Sequence, residues 1–471
     1  MNMISALREH ILGDILIHDD ILRFYSVDAS SYQIIPKVVV VPKNQNDVVA
    51  AVKTARLFHS SVTARGAGTG IVGNSLNDGI ILDMKNLDSI EISEDHAIVG
   101  PGASKGVLDE KLRRHGKFFP PNPSVGRYCT IGGMLGNNAS GSKSLKYGST
   151  IDNVLEITFV DGNGDVVTLP RDLHVGKGIL ELAKKINRNN MPNVTKNSSG
   201  YRLDHIITHN DTHKAIIGSE GTLGIITSAR LKILDIPEKR VLYILEYASA
   251  SDAAKDCPDM LKTGPAAVEF VDVQTLRDFE IDLDGDSVCL LFVEYDDHTG
   301  KADWQMRRTS AGKITRIDTE YEILKWWRLR DLSLYRSIES SKSKNRFPDI
   351  IEDVVVPVEN LSGLFDLLEE VAKRFQTGII IYGHAGNGNI HTRLIADTHA
   401  MERINEIAKY YFERVINMGG SISGEHGDGL ARTRFVRKQY GKENYNLFTR
   451  LKNMLDPDGV LNPGKTVSCI L

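Results

Sequence analysis

Two short stretches carry side chains that could do chemistry together. His384-Ala-Gly-Asn-Gly-Asn-Ile-His391 sets two histidines around a run of glycine and asparagine, and Gly424-Glu-His-Gly-Asp-Gly429 sets a glutamate beside a third histidine. Neutral imidazole and carboxylate are the usual side chains that hold a transition metal. Imidazole also titrates near neutrality, so one histidine of such a set can serve as a base. Glycine lets the backbone approach a bound group and take positive φ. Both stretches read as loops that present a metal and a base to a small substrate. The alternative is two polar turns with surface histidines.

A third glycine-rich stretch, Ala64-Arg-Gly-Ala-Gly-Thr-Gly70, follows a predicted strand. It superficially resembles a dinucleotide fingerprint, but the third glycine would fall at Ile71 and no helix clearly follows. A run of backbone N–H groups can still form an anion-binding nest, with Arg65 and Thr69 as extra donors. Gly459-Val-Leu-Asn-Pro-Gly-Lys-Thr466 matches the Walker A spelling. That motif needs a strand before and a helix after, and Pro463 fits a terminal turn instead.

The elements that must position these loops follow from periodicity. Residues 1–35 read as short helices. Val38–Val41 and Ser61–Ala64 read as strands, with a helix between them capped by Asn46. Strands are expected at Gly79–Met84 and Ala97–Val99, then a helix capped by Ser104 and ended by Gly116. Pro120–Gly148 holds three prolines, many glycines and little periodicity, and a loop that long is usually functional. Val154–Val160 is a strand and Asp161-Gly-Asn-Gly164 a hairpin turn. Beyond Ile236-Pro237 the order is strand 241–247, helix 251–262, strand 266–272, strand 287–295, helix 302–311, strand 314–318. That is the β-α-β-β-α-β order of a ferredoxin-like unit. Helices at 321–337, 359–376 and 400–417 surround the histidine loops. The fold class is α+β, divided into an N-terminal helical segment (1–35), a first domain (36–237), a second carrying the histidine loops (238–430) and a basic, helical tail (431–471).

At 471 residues the chain is too long for one ordinary core. Its 41% hydrophobic and 25% charged residues are typical of soluble globular proteins. A formal charge of −4 gives no sign of nucleic-acid binding. The basic clusters Lys342–Arg346 and Arg432–Lys438 fit solvated faces. Cys129, Cys257, Cys289 and Cys469 show neither cluster-binding nor zinc-ribbon spacing, and scattered thiols point to a reducing compartment. Arg8, Glu9, His10 and Asp14 interrupt any signal peptide. No run approaches the ~18 apolar residues of a membrane span. The expected location is cytoplasmic, with peripheral membrane attachment left open.

Taken in order, Arg65-Gly-Ala-Gly-Thr-Gly70, Pro120-Pro-Asn-Pro-Ser124, Cys129-Thr-Ile-Gly-Gly133, Asn137-Asn-Ala-Ser-Gly141, Lys146-Tyr-Gly148 and Gly218-Ser-Glu-Gly-Thr-Leu-Gly-Ile225 resemble the FAD domain of the vanillyl-alcohol-oxidase-like flavoproteins. Gly383–His391, Ser423–Gly429, Leu455–Gly459 and Leu461–Gly464 resemble the second half of the FAD-linked D-2-hydroxy-acid dehydrogenases. That family includes D-lactate and D-2-hydroxyglutarate dehydrogenases and the glycolate oxidase flavoprotein. The resemblance spans about residues 30–466. It implies a two-subdomain FAD domain, a ferredoxin-like substrate domain and a C-terminal tail that returns to the FAD domain.

The resemblance also implies site residues. The FAD pyrophosphate would meet Gly66, Ala67, Gly68, Thr69 and Gly70, beside Arg65. Pro123, Ser124, Thr130, Gly132, Gly133 and Gly141 would lie along the flavin and ribityl chain. Asn137, Glu220 and Gly224 would add contacts, and Ile225 would meet the adenine end through its backbone. Residues 64–74 hold no histidine for a covalent link, so non-covalent FAD is implied. His384, His391 and Glu425 would bind a divalent zinc, manganese or iron ion. His426 would be the catalytic base, and Arg330 in Trp327-Arg-Leu-Arg-Asp331 would clamp the substrate C1 carboxylate.

The implied reaction oxidises a D-2-hydroxy acid to its 2-oxo acid, with hydride passing to flavin N5. Two departures bear on the substrate. Many D-2-hydroxyglutarate dehydrogenases have a lysine near the position of Ile351, and an asparagine where this chain has Arg393. Ile351-Glu-Asp-Val-Val-Val-Pro357 is closer to large bacterial dehydrogenases that fuse this module to an iron–sulfur domain. Arg393, two residues past His391, is expected to bind a second carboxylate; the alternative is a structural surface ion pair. The electron acceptor is not readable from the sequence: an iron–sulfur protein, an electron-transfer flavoprotein and a quinone all fit, and a homodimer is compatible. Competing readings are a flavin oxidase using oxygen, a non-redox synthase with FAD as scaffold, and an electron-transfer subunit.

Overall fold

The computed structural model describes residues 2–276, 279, 281, 283–296, 302–340, 350–395 and 402–467. The basic run Lys342–Arg346 and Cys469 lie outside these residues. Cys129, Cys257 and Cys289 are buried free thiols. No described helix is long and apolar enough to cross a membrane.

The N-terminal half is built on two sheets. The first orders its strands Asp14–Leu16, Val38–Val41, Ile80–Asp83 and Val62–Arg65, with the last three parallel. Val38–Val41 is valine throughout and fully buried. A parallel strand covered on both faces needs such a run. The helix Gln45–Leu57 covers one face through Val48, Ala51, Val52 and Ala55, and Tyr25 packs beneath the other. This helix is capped by Asn44, not Asn46: the Asn44 side chain accepts from the N–H groups of Asn46 and Asp47. The strand Asp14–Leu16 was not expected; it is only three residues long and lacks a full alternation.

The second sheet is antiparallel, ordered Ile90–Ile92, His96–Val99, Ile225–Lys232, Val154–Val160 and Val166–Leu169. Pro120–Gly148 is less irregular than its composition indicated. It contains helices Ile131–Asn137 and Ser144–Tyr147, the first capped by Thr130 Oγ1 accepting from Gly133 N at 3.2 Å. Its apolar signal is short because only Ile131, Met134 and Leu135 face the core.

The C-terminal half is one antiparallel sheet of seven strands: Lys313–Ile317, Arg240–Tyr247, Cys289–Asp296, Ala267–Asp272, Gly378–His384, Asn389–Ile395 and Asp353–Val355. The first four carry the ferredoxin-like order read from the sequence. The remaining three extend it and were not expected. Helices Ala250–Leu261, Leu361–Phe375 and Ile404–Asn417 bury one face. Trp326 and Trp327 of Glu320–Ser340 pack on the other.

The two halves are tied by charge and by chain. Lys143 reaches Glu294 at 2.8 Å, and Lys146 pairs with Asp296. The helix Gly429–Leu455 bends at Gly441, where φ is 69°, and buries Tyr440, Phe448 and Leu451 against the second sheet. The chain then reaches the first sheet, where Val62 N donates to Val460 O at 2.8 Å and Leu461 pairs in parallel with Val62. The Walker-like run ends the described chain in turns, and Lys465 is buried with its ammonium on the Leu76 carbonyl. Leu461 is fully buried, so Leu461→Ala is expected to cost about 2–5 kcal/mol. Urea unfolding of wild type and variant checks this, and equal midpoints would mean that the tail does not help hold the first sheet.

Candidate active site

The stretch His384–His391 is a β-hairpin, not a loop. His384 ends the strand Gly378–His384, residues 385–388 turn, and His391 lies inside Asn389–Ile395, opposite Tyr382. Strand geometry sends His391 and Arg393, two residues apart, to the same face. Glu425 and His426 belong to a true loop before the helix Gly429–Leu455. That loop wraps one carboxylate. Asp353 Oδ2 accepts from Ser423 Oγ at 2.8 Å and from the N–H groups of Gly424, Glu425 and His426 at 2.9, 3.0 and 2.9 Å. Gly427, at φ +89°, packs where a Cβ would meet Glu220 Oε1 at 2.6 Å.

Glu425 divides its two oxygens. Oε2 accepts from Ser140 Oγ at 2.5 Å and Gly141 N at 2.9 Å, and pairs with Lys196 Nζ at 3.1 Å. Oε1 lies 2.9 Å from His384 Nε2 and 3.1 Å from His391 Nε2. His384 Nδ1 is 2.6 Å from Glu269 Oε1, and Arg330 Nη2 donates to Glu269 Oε2 at 2.6 Å. His426 Nδ1 is 2.8 Å from Glu352 Oε1, and Arg432 Nη2 donates to that oxygen at 2.5 Å. The His391 and His426 rings stack with centroids 5.1 Å apart. Each imidazole thus meets a carboxylate, and each carboxylate meets a buried cation.

These contacts set the protonation of the site. Burial opposes the charged form of His391, but the Glu352 and Glu425 carboxylates outweigh it and hold its pKa well above the usual value. Burial likewise opposes a charged His426, and Glu352 and Asp353 still raise it. Burial would lift Glu425, yet Lys196 and His384 hold it well below the usual carboxylate range.

The donor set fits a divalent ion. Ligands at about 2.0–2.1 Å from one ion lie roughly 3 Å from one another, and His384 Nε2 and His391 Nε2 both stand at that separation from Glu425 Oε1. Among the described residues, the donor atoms that all lie within 4.8 Å of one another belong to Asp353, His391, Glu425 and His426, a group without His384. Asp353 already has both oxygens occupied, Oδ2 by the loop and Oδ1 by Asn389 Nδ2 at 3.1 Å, so it is an anchor rather than a free ligand.

One cavity of about 2000 Å³ joins this cluster to the glycine-rich loops. Arg330, Glu352, His384, His391, Arg393, Glu425 and His426 line one end. Residues 65–70 line it as well, with Pro123, Ser124, Thr130, Gly132, Gly133, Asn137, Gly141, Glu220 and Gly224. It exceeds the roughly 300–1,000 Å³ of an ordinary small-ligand pocket. It therefore has room for a dinucleotide-sized cofactor and a small substrate together. Its glycines suit such a cofactor: a Cβ on Gly221 would meet nothing within 4 Å, and one on Gly136 only the Glu220 backbone at 4.0 Å. FAD therefore fits the residues present.

Three residues assigned to the cofactor carry other contacts. Arg65 donates to the carbonyls of Tyr25 at 3.1 Å and Val27 at 2.8 Å, so its guanidinium braces the 25–27 segment. The Glu220 carboxylate accepts from Asp428 N at 2.6 Å and Gly429 N at 3.0 Å, holding the start of the long helix. The Ile225 side chain is buried in the apolar cluster with Val160 and Ile80, and its neighbours Gly224 and Ile226 line the cavity. Arg330 lines the cavity but also serves Glu269. Sequence reasoning missed Lys196, Glu269, Glu352, Asp353 and Arg432. For Glu269 the available signal was a charge inside the apolar strand Ala267–Asp272.

Comparisons with known proteins define the family. Residues 36–170 match the model of the FAD binding domain, and 236–466 that of the C-terminal domain of FAD linked oxidases. The glycolate oxidase subunit GlcD of Bacillus subtilis is 30% identical over 94% of this chain and 91% of its own. The D-lactate dehydrogenase of Archaeoglobus fulgidus is 28% identical over 91% of each chain. The D-2-hydroxyglutarate dehydrogenase of Haemophilus influenzae is 28% identical over 97% of this chain, which spans 50% of that longer protein. An alkyldihydroxyacetonephosphate synthase structure shares the fold, with TM-score 0.69 and 18% identity over 98% of this chain and 85% of its own. The chain belongs to the FAD-linked oxidases, a family of flavin-dependent oxidoreductases.

Asp353→Asn would leave one acceptor oxygen where two now serve, so its amide N–H₂ would face either the loop N–H groups or Asn389 Nδ2, donor against donor. Each buried donor left unpaired costs about 1–3 kcal/mol. The variant is expected to lose at least that much stability in chemical denaturation. Wild-type stability would remove Asp353 as the anchor of the 423–428 loop.

Proposed function

We propose that this protein oxidises a D-2-hydroxy acid to the corresponding 2-oxo acid. The observation that carries the reading is the shared cavity: its glycine-rich end suits FAD, and its other end gathers Arg330, His384, His391, Glu425 and His426. Relatives named for glycolate, D-lactate and D-2-hydroxyglutarate support the substrate class.

FAD, when bound, supplies a two-electron acceptor for the α-hydrogen. A divalent ion on His384, His391 and Glu425 would supply Lewis acidity toward the substrate hydroxyl. The chain's own residues do the rest. Arg330, oriented by Glu269, binds the C1 carboxylate by charge-assisted hydrogen bonds. His426 takes the hydroxyl proton: Glu352 accepts from its Nδ1, which leaves the lone pair on Nε2. Arg432 holds Glu352 in turn, from beneath the site. C2 loses a hydride and its oxygen a proton, so the product is the carbonyl. The electrons then leave for a separate acceptor, an iron–sulfur protein, electron-transfer flavoprotein or quinone.

The direct test is an anaerobic screen of flavin bleaching over D- and L-2-hydroxy acids. A D-isomer should bleach the flavin, and His426→Ala should slow this about 10²–10⁴-fold while FAD stays bound. Chelation should lower the rate, and zinc, manganese or iron should restore it. No bleaching by any 2-hydroxy acid would overturn the reading; peroxide release under air would reassign the acceptor to oxygen. Acid precipitation should release the flavin.

Arg393 is assigned to the distal carboxylate of a dicarboxylic substrate because it lines the same cavity as His391. A hydrogen bond to a charged group is worth roughly 1.5–3 kcal/mol, about 10–100-fold in affinity. Arg393→Ala should therefore weaken D-2-hydroxyglutarate far more than D-lactate, whereas Arg330→Ala should impair both. Steady-state KM values check this, and equal effects of Arg393→Ala on the two acids would favour a monocarboxylate.

A further inference from the structure

Lys196 is the one described lysine whose ammonium meets a carboxylate of the histidine cluster, and it is fully buried. Its ammonium lies 3.1 Å from Glu425 Oε2 and 3.3 Å from Asn389 Oδ1. It does not line the cavity. The two residues after it are laced to the Glu425 loop. Ser198 N donates to Ser423 O at 3.0 Å, Ser198 Oγ to Gly424 O at 2.9 Å, and Ser421 Oγ to Asn197 Oδ1 at 2.8 Å. A buried ammonium is costly unless it is paired and hydrogen-bonded. The placement therefore needs an account beyond packing.

That account lies in how a carboxylate ligand is presented. A free carboxylate can rotate and offer either oxygen, or both, to an ion. Here Ser140 Oγ, Gly141 N and Lys196 Nζ all hold Oε2, and Oε1 alone faces His384 and His391. Building on the metal reading above, we propose that Lys196 is a positioning residue. With Ser140, it dedicates Glu425 Oε1 to the divalent ion. The donors Ser140 and Lys196 come from the FAD-domain half, and the two histidines from the seven-stranded sheet. The ligand Glu425 is thus oriented across the junction of the halves.

The test uses FAD-loaded protein stripped of metal. Zinc is titrated in competition with a chromogenic chelator, and cobalt(II) is added separately to read its visible absorption bands. Partners that orient metal ligands typically account for 10–100-fold in metal affinity. Lys196→Met should weaken zinc by about that factor and shift the cobalt bands, because Oε2 is released, while the flavin spectrum stays that of wild type. Ser140→Ala should act in the same direction and more weakly. Wild-type zinc affinity and cobalt bands in a folded Lys196→Met protein would overturn the proposal while leaving the metal reading intact. If Lys196→Met does not fold, unchanged zinc affinity and cobalt bands in Ser140→Ala would overturn it. Wild-type protein that takes up no zinc or cobalt would overturn both.

Discussion

The structure depends on one carboxylate held from two sides. Glu425 is buried, and a buried charge must be paired or neutralised. Its Oε2 is satisfied by Ser140, Gly141 and Lys196 from the N-terminal half, and its Oε1 by two imidazoles from the seven-stranded sheet. Neither half could bury this group alone. The interface between the halves is therefore also the place where the reactive side chains meet.

The same logic repeats around it. Glu269 pairs with Arg330 and orients His384; Glu352 pairs with Arg432 and orients His426. Such pairs cost desolvation, and well-packed apolar residues are often as stable in their place. Their return here is geometric. Each carboxylate orients its histidine through Nδ1, which turns Nε2 of His384 to Glu425 and leaves Nε2 of His426 as an acceptor nitrogen. Asp353 does the corresponding work for the backbone by gathering three N–H groups of the 424–426 loop.

The scaffold explains why these residues can be so close. Extending a ferredoxin-like sheet by a hairpin and one further strand places His384, His391 and Asp353 on three adjacent strands. The long C-terminal helix begins beside Glu425, carries Arg432 into the cluster, and continues onto the FAD-domain sheet. Flavin cradle and histidine cluster then share one cavity, which a substrate needs if it is to touch both.

Much of this was legible in residue type and order. Glycine at 66–70 and 132–133, the histidines at 384, 391 and 426, and Glu425 are local statements: each residue's chemistry announces itself without its neighbours. Periodicity likewise determined the ferredoxin-like order of residues 240–317, because alternation and helical spacing are local properties. Asn44 rather than Asn46 as cap is a boundary shift of the same local kind. Only the tertiary structure decided which charges meet. Lys196 finds Glu425 229 positions away, and Glu269 finds His384 at 115. Glu269 reads as a charge in an apolar run and Glu352 as half of an acidic pair with Asp353, and nothing in those runs names the partner. Arg65 and Glu220, expected from their motifs to meet the cofactor, line the cavity and also satisfy buried backbone groups, partners that those motifs do not name. Electrostatic pairing is set by distance in space, which a linear order of residues does not contain.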